Sequence, residues 1–474
     1  MEVKKLMYPK RMKLGYFFGK FGISLFCSME MYYFASYCTD KARLPLTMVA
    51  ICLNVPTVID TIFSFLNGAI IEKLPHPGGK YTFWMIIGPI VGVICYTITY
   101  IRVPGDWACT LVITITLIIA HFFWSIAENC YTALPAVLTE DAKERGTLSV
   151  LGATSASWSG FLFGLISLPV INWFNSKVGS ETHGYAFMTA FGGIIFAIAY
   201  IFLAVTIRKQ EKLDEEMQRA GLKKEEKVKG PTIKEMLSNV VGNKPLLILM
   251  LFGLLQWTAS FSASGMMFYF FNCSMGAVAM MSVYMSARSI GGMCAVVMYP
   301  IWTRICKGRK RNITAICMTI NACYQLVIWA IRPPAIVFIV GNTILAFAVG
   351  VSQMPLIAMY SDAATYGEWK TGVNCRAFVM SMYNIPLKLG LLIKGVVISV
   401  ILGVIRYDAT LPPETFKNAF YNGYLLLMAV LNLCAVLILV LGFKLKEDQV
   451  TQMALEIQER NQAKIAAAEQ AVAE

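Results

Sequence analysis

The sequence predicts an all-α protein that crosses a membrane about twelve times, in two bundles of six helices. Three observations carry that expectation. Of the 474 residues, 57% are hydrophobic and only 15% charged, against about 25% charged in an average soluble domain. Apolar stretches of about 18 residues or more, enough to cross a roughly 30 Å hydrocarbon core, recur from end to end. The longest interval without one, residues 208–244, divides the set in half.

The first six spans fall at 14–37, 46–70, 83–102, 108–137, 148–174 and 185–207. The first follows a basic segment, 1–13, with five lysines and arginines and no small-residue cleavage site, so no removable signal peptide is expected. Residues 208–244 are rich in Lys and Glu, contain Gly230-Pro231, and read as a solvated linker with a short helix over 232–240. The second six spans fall at 245–272, 277–303, 313–331, 335–360, 377–405 and 419–443. A tail of Ala, Glu and Gln, 447–474, carries Val450, Met453, Leu455 and Ile457 and reads as a surface amphipathic helix. The expected organisation is therefore a bundle at 1–207, a linker at 208–244, a bundle at 245–446 and the tail. That outline is the one of a major-facilitator-type transporter.

Positive charge gives the orientation. With the N-terminus cytoplasmic, that side holds 30 lysines and arginines and the opposite side 7, as the positive-inside rule requires. Both termini are expected in the cytoplasm. The formal net charge of +13 follows from this sidedness and from contact with anionic lipid, so nucleic acid is not an expected partner. The 13 cysteines lie mostly in apolar spans without metal spacing, as small buried hydrophobes. His76, His121 and His183 are far apart and form no ligand pattern, so neither an enzyme nor a resident metal or cofactor is expected.

Ionisable side chains inside spans carry the functional argument, because each is costly in hydrocarbon unless paired or facing water. They are Lys20, Glu30, Asp60, Glu128, Arg288, Lys388 and Lys394. Asp60, Arg288 and Lys388 fall near mid-depth, which implies a shared polar cavity. Lys20 with Ser24, and Asp60 with Ser64, share a helix face at i, i+4, and a carboxylate beside a hydroxyl can hold a proton or a small cation. Against this stands a structural role, in which Asp60 neutralises Lys20 or Arg288. Glu30 and Lys394 are near enough to span ends to snorkel. Trp124, Tyr131 and Trp257 are candidates for stacking on a sugar ring, with packing the alternative. On the cytoplasmic side the segment 361–376, with Asp362, Glu368, Lys370 and Arg376, reads as a gating loop. Asp141 and Arg145, beside Glu140, Lys143 and Glu144, occupy the matching part of the first half. A solvated loop is the alternative for both.

Four stretches resemble the glycoside-pentoside-hexuronide:cation symporter family, the group that includes melibiose permease, within the major facilitator superfamily. They are Lys13-Leu-Gly-Tyr-Phe-Phe-Gly-Lys-Phe-Gly22 with Tyr37-Cys-Thr-Asp40; Asp60 with Gly68 and Gly79-Lys80-Tyr81; Leu138-Thr-Glu-Asp-Ala-Lys-Glu-Arg145; and Tyr366-Gly-Glu-Trp-Lys-Thr-Gly372 with Lys388-Leu-Gly390. They span both halves in the family's order. The resemblance implies a sugar or glycoside symporter, with Asp60 at a cation-binding position on the second helix, Glu128 at a sugar-site position on the fourth and Lys388 beside both sites on the eleventh. It also implies a bacterial inner membrane.

The departures bear on coupling. Ser64 stands where melibiose permease has a second aspartate, and Ser24 where its first helix offers a sugar-binding aspartate. Lys20 reverses a charge in Gly19-Lys20-Phe21-Gly22; Gly152 and Thr365 replace an arginine and an aspartate. Hard cations want several oxygens and are repelled by a neighbouring ammonium. Proton coupling at Asp60, Ser64 and Lys388 is therefore expected ahead of Na⁺ coupling, with Lys20, Ser24, Glu128, Tyr131, Arg288 and Lys388 around the solute. The excess of positive charge favours an anionic solute such as a hexuronide. A cation-independent facilitator and a non-transporting solute sensor of the same fold are the alternatives, and a monomer is expected.

Overall fold

The computed structural model describes residues 8–73, 79–139, 142–219 and 233–473. Among them no strand occurs, and twelve long helices lie where the apolar stretches place them. The first half holds α1 (Pro9–Tyr32), α2 (Leu46–Lys73), α3 (Lys80–Thr99), α4 (Asp106–Leu138), α5 (Ala142–Val178) and α6 (His183–Arg219). The second holds α7 (Lys244–Tyr269), α8 (Met280–Ile305), α9 (Lys310–Ile331), α10 (Ala335–Thr371), α11 (Asn384–Val404) and α12 (Leu427–Gly442). Ten of the described helices are long and apolar enough to cross a membrane; α8 makes an eleventh as a pair bent by 58° near Pro300, where the proline ring removes a backbone bond. Helix α1 is too polar for that test because Lys20, Ser24, Ser28 and Glu30 interrupt it.

Three segments depart from the expected outline. Helix α6 continues through Arg219 instead of stopping at 207, taking up part of the linker, and a short helix follows at Ile233–Gly242. Helix α10 runs to Thr371, so Asp362, Glu368 and Lys370 are helical and not in a loop: the polar turns add hydrogen bonds to an existing helix at no nucleation cost. The tail helix α13 (Glu447–Ala473) is docked, with Trp369 Nε1 donating to Glu456 at 2.6 Å and Arg460 donating to the Trp369 carbonyl at 3.1 Å.

Small residues set the packing. On α1, Gly15, Gly19 and Gly22 form one stripe, and a Cβ on Gly22 would lie 2.6 Å from the Phe196 Cα of α6. Such close approach is what small residues provide between membrane helices. The seam between the halves is built from α2 against α11 and α5 against α8. Advancing each first-half partner by six helices exchanges one pair for the other, the pseudo-two-fold pattern of a repeated bundle.

All the cross-seam bonds described below come from mid-depth or from the distal face, the end of the molecule where α1 finishes. Thr39 and Tyr269 hydroxyls meet at 2.9 Å, the Tyr407 hydroxyl donates to Asp40 at 3.0 Å, and Ser286 donates to the Phe161 carbonyl at 3.1 Å. Asn54 donates to Ser399 at 3.2 Å.

Candidate functional site: two ion pairs and a polar cavity at mid-depth

The helix order brings six of the seven intramembrane ionisable residues into contacts between elements far apart in sequence. Lys20 of α1 donates to Glu128 of α4 at 2.7 Å. Asp60 of α2 meets Lys388 of α11 at 3.4 Å, across the seam. Glu30 of α1 takes His121 of α4 at 3.0 Å on one oxygen and Lys394 of α11 at 3.8 Å on the other. Each pairing offsets the cost of a charge in hydrocarbon. Asp60 therefore neutralises Lys388, and neither Lys20 nor Arg288.

The pairs differ in their access to solvent. The Lys20, Glu128 and Lys388 side chains are 29%, 36% and 35% exposed, whereas Lys394 and His121 are 6% exposed. The first group reaches solvent; the second is buried, with His121 tilted on Trp124 at 4.6 Å. Lys394 is thus buried on Glu30 and does not snorkel. His121 escapes sequence reasoning that looks only for metal patterns; the signal was a polar ring two turns before Glu128 in a hydrophobic span.

Other expected residues lie as follows. Ser64 donates to the Asp60 backbone carbonyl at 2.8 Å, an ordinary i−4 bond that turns it along the helix. The second carboxylate oxygen of Asp60 is buried without a hydrogen-bond partner. Ser24 is partly buried one turn beyond Lys20. Tyr131 is 2% exposed, stacked on Tyr16 at 4.2 Å and on Tyr200 at 5.6 Å, with its hydroxyl on the Tyr16 carbonyl. Both ring faces are covered, so it packs the bundle and offers no stacking platform. Trp124 is likewise enclosed by Phe26 and Tyr96.

The polar residues on α10 and beyond bond within their own half. Asp362 takes Lys310 of α9 at 2.6 Å, Lys370 donates to the Gly242 carbonyl at 2.9 Å, and Arg376 donates to Ser361 at 2.7 Å. The expected ion pairs among Asp362, Glu368, Lys370 and Arg376 do not form, because Lys310 at the start of α9 lies nearer. Glu140, Asp141 and the Lys143 and Arg145 side chains lie outside the described residues; Glu144 accepts from Thr139 at 2.7 Å.

Arg288 stands apart. Its Nη1 donates to the Tyr284 hydroxyl at 3.0 Å, and among the described residues no carboxylate pairs with it. It lines a cavity of about 130 Å³ within the second half, together with Trp257 and the side-chain amides of Gln256, Asn321, Gln325, Asn342, Gln353 and Asn432. Hydropathy hides these amides, since single Asn and Gln residues barely lower the average of an apolar span.

A family model described as MFS/sugar transport protein matches residues 15–447. A relative described as an uncharacterized symporter, YjmB of Bacillus subtilis, is 24% identical over 97% of this chain and 98% of its own length. A putative glycoside/cation symporter, YagG of Escherichia coli, is 24% identical over 84% of each. A solved nucleoside transporter, NupG, superposes with a TM-score of 0.61 at 13% identity, covering 93% of this chain and 100% of its own. That likeness speaks for the fold.

Proposed function

This chain belongs to the MFS/sugar transport protein family, a family of membrane transporters and not of enzymes, and we propose from that premise that it moves a glycoside, oligosaccharide or hexuronide by alternating access, coupled to H⁺ at Asp60. The observation that carries the coupling is the 3.4 Å contact of Asp60 with Lys388 across the seam of the two halves. Protonating Asp60 removes one charge of that pair, so proton occupancy and the relation of the halves depend on each other. By linkage, a solute that binds better in one arrangement changes proton affinity by the same factor. The set of oxygens favours a proton over Na⁺. Among the described residues Asp60 is the one carboxylate in contact with Lys388, its neighbour is an ammonium, and the Ser64 hydroxyl faces the helix backbone; a hard cation wants several oxygens and no adjacent positive charge.

In this reading the molecule sits as a monomer in a bacterial inner membrane with both termini cytoplasmic, held partly by anionic lipid. The bonded distal face is then the external face. The partly exposed Lys20, Glu128 and Lys388 side chains support a cavity open to the cytoplasm.

The test is uptake of labelled glycosides and uronides into vesicles under an imposed H⁺ or Na⁺ gradient, with the native protein and Asp60→Asn. Proton-driven uptake that loses its gradient dependence in the variant is expected. Sodium-driven uptake would remove the proton assignment. Gradient-independent uptake unaffected by the variant would make this a facilitator, and solute binding without uptake would make it a sensor.

A further inference from the structure

The intramembrane charges do not cancel. Three carboxylates, Glu30, Asp60 and Glu128, are each matched by an ammonium, which leaves Arg288 as the one cation of the seven intramembrane ionisable residues without a carboxylate among the described residues. An unmatched guanidinium at mid-depth is expensive, and among the described residues Arg288 donates to a neutral phenol on its own helix, one turn away. Its surroundings are as specific as its charge. Six amide side chains from α7, α9, α10 and α12 converge on the same cavity; Asn342 and Asn432 already donate to the Phe338 and Met428 carbonyls one turn back. The carbonyl oxygens of Gln256 and Gln353 are buried there without a hydrogen-bond partner. The cavity, about 130 Å³, is roughly ten times the 10–15 Å³ that one water needs, so a single structural water does not account for it. Trp257, its ring stacked on Phe261 at 5.2 Å, forms part of its wall.

We propose that this second-half cavity binds a polyhydroxylated monoanion, whose oxyanion pairs with Arg288 and whose hydroxyls bond the surrounding amides. The inference rests on the transporter reading for its solute and deepens it, by placing the anion in the second half, away from the Asp60 and Glu128 pairs. Arginine suits the task because its fixed fork matches a planar or tripodal oxyanion with two parallel bonds. Hydroxyls, being donor and acceptor at once, suit amides of either orientation. A neutral sugar would leave the guanidinium uncompensated.

The experiment is calorimetric titration of the purified native protein near neutral pH with D-glucuronate, its methyl ester, and glucose bearing a C6 sulfonate. A charged hydrogen-bonding partner is worth about 10- to 100-fold in affinity. At least one of the two anions is expected to bind that much more tightly than the ester, and the tighter one identifies the oxyanion. Equal affinity for acid and ester, or no binding of either anion, overturns the proposal without recourse to any variant. Arg288→Gln, checked for an unchanged thermal midpoint, is expected to lose the preference for the anion; a folded variant that keeps it also overturns the proposal. Vesicle uptake of the same compounds separates the two readings. An anion bound tightly but never taken up sinks the transporter and leaves the site, while neutral glycosides taken up by a protein that binds no anion sink the site and leave the transporter.

Discussion

At the scale of single residues, the distal face holds a carboxylate whose environment differs from that of the mid-depth pairs. Asp40 lies past the end of the first span, where it accepts from the Thr39 hydroxyl at 2.7 Å and from the Tyr407 hydroxyl of the opposite half at 3.0 Å. Burial pushes its carboxyl above the ordinary range, while those two hydrogen bonds and nearby Lys41 pull the other way. Arg43, Arg406 and Asp408 share the pocket. The sign follows from the raised value. Opening the distal end returns Asp40 to water and to an ordinary carboxylate pKa, so closure is stabilised below that ordinary value and the stabilisation fades as pH rises through the raised one. Spin labels at Val178→Cys and Leu411→Cys, both on exposed distal positions, should show more of the short-distance population below the ordinary carboxylate value of about 4 than at about pH 8. Asp40→Asn should flatten that response; a variant that kept it whole would assign the pH dependence elsewhere.

Between elements, the seam depends on glycine as much as on charge. Gly160 and Gly164 of α5 are spaced as a small-xxx-small pair, and a Cβ on Gly164 would lie 2.6 Å from the Ser286 backbone nitrogen of α8. Backbone cannot swing aside, so Gly164→Val should force the helices apart at a cost of about 1–3 kcal/mol. A lowered thermal midpoint and loss of the short-distance label population would report it. Gly292→Ala, with nothing within 4 Å of the added carbon, serves as the comparison, and an equal loss there would discredit the packing argument. The same two helices mark what the sequence could say. Apolar length places the helices, and each intramembrane charge stands out against its span. Which charge meets which was not legible, since Lys20 with Glu128 and Asp60 with Lys388 are 108 and 328 residues apart and only tertiary packing chooses among such partners. Helix ends were misread wherever polar turns prolong a helix, as at 208–219 and in α10. Arg288 stood out by its charge, but the amides around it were invisible because they are scattered over four helices and carry none.

For the whole molecule, the claim at stake is that the halves move against each other about a mid-depth site. The seam pairs α2 with α11 and α5 with α8, and the bonds at its distal end must break for the cavity to face the other way. That requirement can be met or refused by a tether. An ideal Cβ on Gly160 lies 3.9 Å from the Ser289 Cβ, inside the roughly 3.5–4.5 Å span of a disulfide. With the exposed Cys294, Cys323 and Cys434 replaced by serine, Gly160→Cys with Ser289→Cys should oxidise readily, and neither single variant should. Uptake by the oxidised double variant should fall to about a tenth or less of its reduced value and return on reduction, because alternating access needs that seam to part. Binding of solute from the proximal side should survive, since the tether holds the half-exposed Lys20, Glu128 and Lys388 in the arrangement described here. If the oxidised protein carried solute at the reduced rate, the halves would not separate along α5 and α8. Alternation would then have to come from motion within one half, and the Asp60–Lys388 contact would lose its place as the coupling link.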